Sequence, residues 1–210
     1  MKILAAADIH GSQYRLNLVL KNIEVHHPDL VVVCGDITQF GPAEVATNFL
    51  NQIPVKTLAI PGNIDTNDVD AGITASKATL LHLKRVVYYD VPFIGVGREF
   101  LHNASDIIIN DEQGHAASLK KTLDESSVLV THVPPYKLQD TIFIGSHGGS
   151  KELRSIIENC KPRLVVCGHI HEDPGITTLG NTTIVNCSLG KRMEGALIEL
   201  QDTLTVSLLD

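Results

Sequence analysis

Aspartate, asparagine and histidine recur in this chain at one kind of place, the first residues after a short apolar run. Asp8-Ile9-His10 follows Ile3-Leu4-Ala5-Ala6-Ala7 and Gly35-Asp36 follows Leu30 to Cys34, while the predicted third strand, Val55–Ile60, ends in Pro61-Gly62-Asn63. His132 follows Val128 to Thr131, and Gly168-His169-Ile170-His171 follows Leu164 to Cys167. Carboxylate, amide and imidazole ligands without thiolate suit Mn2+, Fe or Zn2+ better than Ca2+ or a structural zinc. Mn2+ is the first expectation, with Fe, Zn2+ and Ni2+ as alternatives. Two such ions about 3.5–4 Å apart need a shared carboxylate, because an anion between them screens their repulsion while neutral imidazoles complete each shell. The candidate ligands are Asp8, His10, Asp36, Asn63, His132, His169 and His171.

Gathering these residues requires that the apolar runs be strands whose tips meet. In open α/β sheets, ligands sit beyond the carboxyl ends of strands. Runs such as Leu30-Val31-Val32-Val33-Cys34 are apolar throughout, as strands buried on both faces are. After the first run, Ser12 can cap a helix from about Gln13 to Val25, with Leu16, Val19, Leu20 and Ile23 at helical spacing and Pro28 closing it. A second helix is predicted from about Pro42 to Gln52, with proline in its first turn. This alternation of strand and helix argues for a parallel α/β unit.

Further on, Val86–Tyr89 and Val91–Val96 read as short strands, Gly97 to His115 as a long irregular loop, and Ala116–Leu123 as a helix. A second long loop, Pro134 to Gly149, precedes a helix capped by Ser150 and running to about Glu158. Beyond His171 the pattern is all β: Ile176–Leu179, a Gly180-Asn181 turn, Thr182–Asn186, Ala196–Leu200 and Leu204–Leu208. The expected fold is a single α/β domain over residues 1–210. It is a four-layer sandwich, two mixed β-sheets packed face to face with helices outside.

A chain of 210 residues can bury a substantial core, and 43% apolar with 20% charged residues is ordinary globular composition. The net charge is −7, and the pairs Lys84-Arg85, Lys120-Lys121 and Lys191-Arg192 are scattered, which argues against general nucleic-acid binding. The stretch before Asp8 is too short for a signal-peptide core, and no apolar run approaches the roughly 18 residues of a membrane span. A soluble cytoplasmic protein without a membrane partner is expected. Cys34, Cys160, Cys167 and Cys187 show no CxxC spacing and read as free thiols. A homo-oligomer is left open.

In this order and at strand ends, Asp8-Ile9-His10, Gly35-Asp36, Gly62-Asn63, His132 and Gly168-His169-Ile170-His171 resemble the five motifs of the calcineurin-like metallophosphoesterase superfamily. The resemblance spans residues 8 to 171. It implies that Asp8, His10 and His171 hold one metal, that Asp36 bridges, and that Asn63, His132 and His169 hold the second. It also implies hydrolysis of a small-molecule phosphoester by water or hydroxide between the ions, its pKa lowered by both.

One position departs from the family pattern. Where the superfamily usually has Gly-Asn-His followed by Asp or Glu, this chain has Gly62-Asn63-Ile64-Asp65, a form known in prokaryotic branches. The family's histidine is read as the acid that protonates the leaving oxygen, and such catalysis contributes about 10²–10⁴-fold. Its loss implies a bias toward phosphodiesters or activated esters unless another residue fills in. His147, in Gly145-Ser146-His147-Gly148-Gly149-Ser150, is the candidate substitute, in a loop whose amides could also bind a phosphate oxygen. The plainer reading of that loop is a turn and a helix cap. The catalytic assignment is thus Asp36, Asn63 and His147. Ile64 also keeps open a rival of another class, a phosphoesterase fold serving as an interaction scaffold. His26, His27, His82, His102 and His115 read as surface or core residues, and Tyr136 and Asp140 as structural or cleft-lining.

Overall fold

A computed structural model describes residues 1–98, 112–190 and 192–210. In β1 (Lys2–Ala6), side chains alternate between two faces, as the period of a strand requires. Ile3 and Ala5 pack with Val128, Val130, Leu164 and Val166, whereas Leu4 and Ala6 pack with Leu16, Val19 and Ile23. The neighbouring strands β2 (Leu30–Cys34) and β3 (Thr57–Ile60) divide in the same way. Leu30, Val32, Leu58 and Ile60 face the first of these cores. Val31, Val33 and Ala59 face the second, under helices α1 (Gln13–His26), α2 (Ala43–Asn51) and α3 (Val69–Ala75).

The first sheet runs β12-β11-β1-β2-β3-β4, with β4 at Thr79–Leu80, β11 at Gly195–Leu200 and β12 at Leu204–Leu209. The second contains β5 (Arg85–Tyr88), β6 (Val91–Val96), β7 (Val128–Thr131), β8 (Leu164–Cys167), β9 (Gly175–Leu179) and β10 (Thr182–Asn186). Its order is β5-β6-β7-β8-β10-β9. Leu129, Val165 and Ile184 turn away from the first sheet toward α4 (Glu112–Thr122) and α5 (Lys151–Cys160). Two mixed six-stranded sheets therefore lie face to face with helices outside, as the sequence predicts.

Register determines where the chemistry is delivered. Ala6 pairs with Val33 and Cys34 with Ile60 across parallel strands, so β1, β2 and β3 end at one edge. In the second sheet Val130 pairs in parallel with Val166, so β7 and β8 do likewise. The two edges are joined: Ala7 N–H donates to the Cys187 carbonyl at 3.3 Å, and Leu189 N–H to that of Ala7 at 3.1 Å.

Several boundaries differ from the sequence-based expectation. Pro42 precedes α2 in extended conformation rather than sitting in its first turn, and β3 begins at Thr57. The helix α4 starts at Glu112, four residues early, and most of the loop expected over 97–115, including His102, lies outside the described residues. Between β3 and β5 lie α3 and β4, which the sequence pattern does not predict, and Phe143–Gly145 forms one 3-10 turn inside the second long loop. No helix among the described residues is long and apolar enough to cross a membrane.

Candidate metal centre

Backbone hydrogen bonds between the strand tips join the Asp8 motif to the Asp36 motif and His132 to the Gly168 motif, and Ile64 N–H donates to Asp36 Oδ1 from the Asn63 loop. Asp8 N–H donates to the Gly35 carbonyl at 3.1 Å, His10 N–H to that of Asp36 at 2.8 Å, and Gly168 N–H to that of His132 at 2.9 Å. The turns are tight enough that Asp8, His10, Asp36 and His169 take left-handed conformations, with φ of 64°, 54°, 51° and 71°. Such conformations are costly for residues with a Cβ and concentrate at functional sites. Gly62 is required by the same crowding, since a Cβ there would run into the carboxylate and backbone nitrogen of Asp36.

All seven predicted ligands converge. Asp8, His10 and His171 each offer one ligand atom within 4.8 Å of the others, and so do Asp8, Asp36 and His132. His10 Nε2 and His171 Nε2 are 3.2 Å apart. Asp36 Oδ2 lies 3.4 Å from His132 Nε2 and 3.9 Å from His10 Nδ1, so it faces both groups. Asn63 Oδ1 is 2.8 Å from His132 Nε2 and 2.9 Å from His169 Nδ1.

The two carboxylates of this cluster are buried among imidazoles. Asp8 is fully buried; its Oδ2 accepts from His169 N–H at 3.0 Å, while its Oδ1 has no hydrogen-bond partner, although His171 Nε2 approaches to 3.3 Å. Burial pushes the Asp8 carboxyl up, but His171 and His132 beside it hold it well below the usual carboxylate range. Asp36 is also held low, burial being outweighed by His132 and by the Ile64 N–H at 3.0 Å. Burial opposes a proton on His132 too, yet Asp36 and Asp8 raise it to about 9. Burial and the His132 charge depress His169 to about 4. Burial likewise lowers His10, against Asp8 and Asp36, whereas the approach to Asp8 raises His171. A buried carboxylate oxygen left unpaired costs free energy that a cation removes, and the surrounding carboxylate, imidazole and amide donors match divalent transition ions. The site fits such ions.

Two further residues matter to this geometry in ways the sequence does not display. Asp65 is buried and binds backbone, accepting from Ile37 N–H at 3.0 Å, Thr38 N–H at 2.8 Å and Gly62 N–H at 2.9 Å, and from the Thr38 hydroxyl at 2.8 Å. It ties the Asp36 loop to the Asn63 loop. Arg15 donates through Nη1 to the Asp8 carbonyl. Only its spacing of three residues after a capping Ser12 could have placed it near the site.

His147 belongs to a separate arrangement. Its Nδ1 is 2.8 Å from Asp140 Oδ1, and its ring meets Tyr136 edge-on at 5.4 Å, rather than any of the seven. Asp140 is buried and also accepts from Lys137 N–H and Gly149 N–H, at 2.9 and 3.0 Å. The loop packs on the His169 to His171 segment: a Cβ at Gly148 would lie 2.9 Å from Ile170 Cδ1, and Thr141 N–H donates to Asp173 at 2.9 Å. Asn186 supports that segment from below, donating to the Ile170 carbonyl at 2.8 Å and to that of Asp173 at 3.1 Å.

Comparison with known proteins agrees with this fold. An uncharacterized protein of Methanocaldococcus jannaschii is 32% identical over 200 residues, covering 90% of this chain and 88% of that protein. A dimetal phosphatase from Danio rerio shares the fold with a TM-score of 0.70 at 11% identity, over 99% of this chain and 95% of that one. An archaeal phosphodiesterase aligns over 100% of both chains with a TM-score of 0.53 at 13% identity. A family model described as calcineurin-like phosphoesterase matches residues 1–173, and this chain belongs to that family.

Proposed function

We propose that this protein is a dinuclear-metal-dependent phosphoester hydrolase acting on a small-molecule substrate, with phosphodiesters preferred over phosphomonoesters. The observation that carries it is the buried Oδ1 of Asp8, which accepts no hydrogen bond from the backbone and is set among His10, His171, Asp36 and His132. Asp8, His10 and His171 would hold one ion, Asn63, His132 and His169 the other, and Asp36, which faces both groups, would bridge. When bound, a pair of divalent ions supplies Lewis acidity, making water a nucleophile at neutral pH and neutralising phosphoryl charge. Mn2+ is the proposed metal, with Fe, Zn2+ or Ni2+ as alternatives.

The chain's own residues have distinct tasks. Asp36 and Asn63 orient the reacting groups, and Asp65 keeps their two loops in register. Ile64 supplies no proton to a leaving oxygen, which favours good leaving groups and diesters except where another residue donates that proton. His147 is the proposed proton donor, its ring oriented by Asp140 through Nδ1 with Nε2 left for the substrate.

Residues 1–210 would work as one unit, since β11 and β12 lie beyond the family match yet β11 pairs with β1, the strand that leads to Asp8. A cytoplasmic setting accords with four unpaired cysteines. The scaffold reading draws on Ile64 alone and leaves the buried Asp8 oxygen without a purpose. The test is hydrolysis of bis-p-nitrophenyl phosphate in Mn2+: activity that chelation and Asp36→Ala both abolish supports the proposal, and no turnover of any phosphoester by metal-loaded protein favours the scaffold.

A further inference from the structure

Beside His10 the surface opens into a pocket of about 330 Å3 lined by His10, Ser12, Arg15, Gln39 and Ile64. One wall is thus a candidate metal ligand. Another is the aliphatic residue that stands where the family pattern has an imidazole. The only fixed charge on the lining is Arg15.

That charge is held in place and has no counter-ion among the described residues. Arg15 Nη1 donates to the Asp8 carbonyl, and the Arg15 backbone N–H donates to the Ser12 hydroxyl at 3.4 Å. Lys21, Arg98, Lys120 and Arg154 each reach a carboxylate, but no Asp or Glu among the described residues lies within ion-pair distance of Arg15. A partly buried guanidinium with Nε and Nη2 uncommitted is a ready-made partner for an anionic oxygen.

We propose that this pocket receives the phosphoester beside the metal centre, with Arg15 hydrogen-bonding a non-bridging phosphoryl oxygen and the Ile64 wall accommodating the ester arm. The inference rests on the phosphoesterase reading for its substrate class. A charge-assisted hydrogen bond of this kind is worth roughly 10- to 100-fold in affinity. Gln39 and the Ser12 hydroxyl would take the remaining polar atoms of the arm.

The test is calorimetric titration of inorganic phosphate into the Mn2+-loaded full chain, for wild type, Arg15→Gln and Arg15→Lys, with metal content measured on each sample. The expected result is phosphate affinity roughly 10- to 100-fold weaker in Arg15→Gln and intermediate in Arg15→Lys, which keeps the charge but loses the fork, with metal content unchanged. Undiminished phosphate affinity in Arg15→Gln overturns the inference, and so does a fall in metal content, which would make Arg15 a prop for the Asp8 loop. Ile64→Trp should raise KM for bis-p-nitrophenyl phosphate while leaving phosphate affinity as it was; an unchanged KM removes the ester arm from this pocket. Wild type that binds phosphate through Arg15 but turns over no phosphoester upholds the Arg15 contact and overturns the hydrolase reading instead.

Discussion

The Nδ1 atom of His132 lies 2.8 Å from the carbonyl oxygen of Cys34, across the gap between the two sheets. A carbonyl only accepts, so Nδ1 carries a hydrogen and Nε2 is the atom left to ligate. Without metal, Nε2 is protonated as well at neutral pH: burial opposes that proton, but Asp36 and Asp8 raise the group to about 9. A cation must displace it. Metal binding at pH 7 should therefore release a proton, and affinity should rise as pH climbs toward 9. Calorimetry in two buffers of different ionisation enthalpy measures the release, and heats independent of buffer would contradict it.

The same group gives the metal-free protein an alkaline limit. His132 has a folded-state pKa raised from 6.5 to about 9, so its contribution to stability is full below about pH 6.5 and is lost as pH rises through 9. Asp8 and Asp36 are depressed below 3.8, so their contribution is present above that value and is lost on acidification. Thermal melts of chelated protein should show Tm falling from pH 7 to 9.5. In His132→Gln the fall should vanish, and its persistence would assign the alkaline limit to another group.

Asp65 should matter to stability although it faces no substrate. Asp65→Ala strands three backbone N–H groups and a hydroxyl in a buried turn, a loss on the order of 3 kcal/mol or more. Urea denaturation should show that loss, together with weaker metal binding as the Asp36 and Asn63 loops separate. Asp65→Asn, which keeps the shape and one of the two accepting oxygens, should lose less than Asp65→Ala. Wild-type stability in Asp65→Ala would mean the turn holds without its carboxylate.

A proton donor betrays itself through the leaving group. If His147 serves that role, His147→Asn should cost about 100-fold on a diester with an alkyl leaving group and little on a p-nitrophenyl ester. Rates on such a pair of substrates decide it, and equal losses on both would make His147 part of the loop's architecture only.

Most of the strands that carry the site are legible because they are apolar runs ending in a ligand-type residue, as in Leu30 to Asp36 and Leu164 to His171. Their burial on both faces explains why Leu30–Cys34 and Leu164–Cys167 hold no charged residue. By contrast, α3 has seven residues and β4 two, too few for a period to emerge. Asp65 reads as an acid left without its family partner because its true partners are backbone amides, which no sequence pattern displays. Arg15 looks like any polar residue of α1, and its value lies in reaching the Asp8 carbonyl, a contact set by the angle at which the helix leaves β1.

Metal stoichiometry by native mass spectrometry, on wild type and Asp8→Ala loaded with Mn2+, bears most directly on the cluster. Two ions per chain in wild type and at most one in Asp8→Ala are expected, since the unpaired carboxylate oxygen lies at the junction of both ligand groups. Wild type that retains no metal, or an Asp8→Ala protein that retains two, would contradict a paired-ion centre at these strand tips.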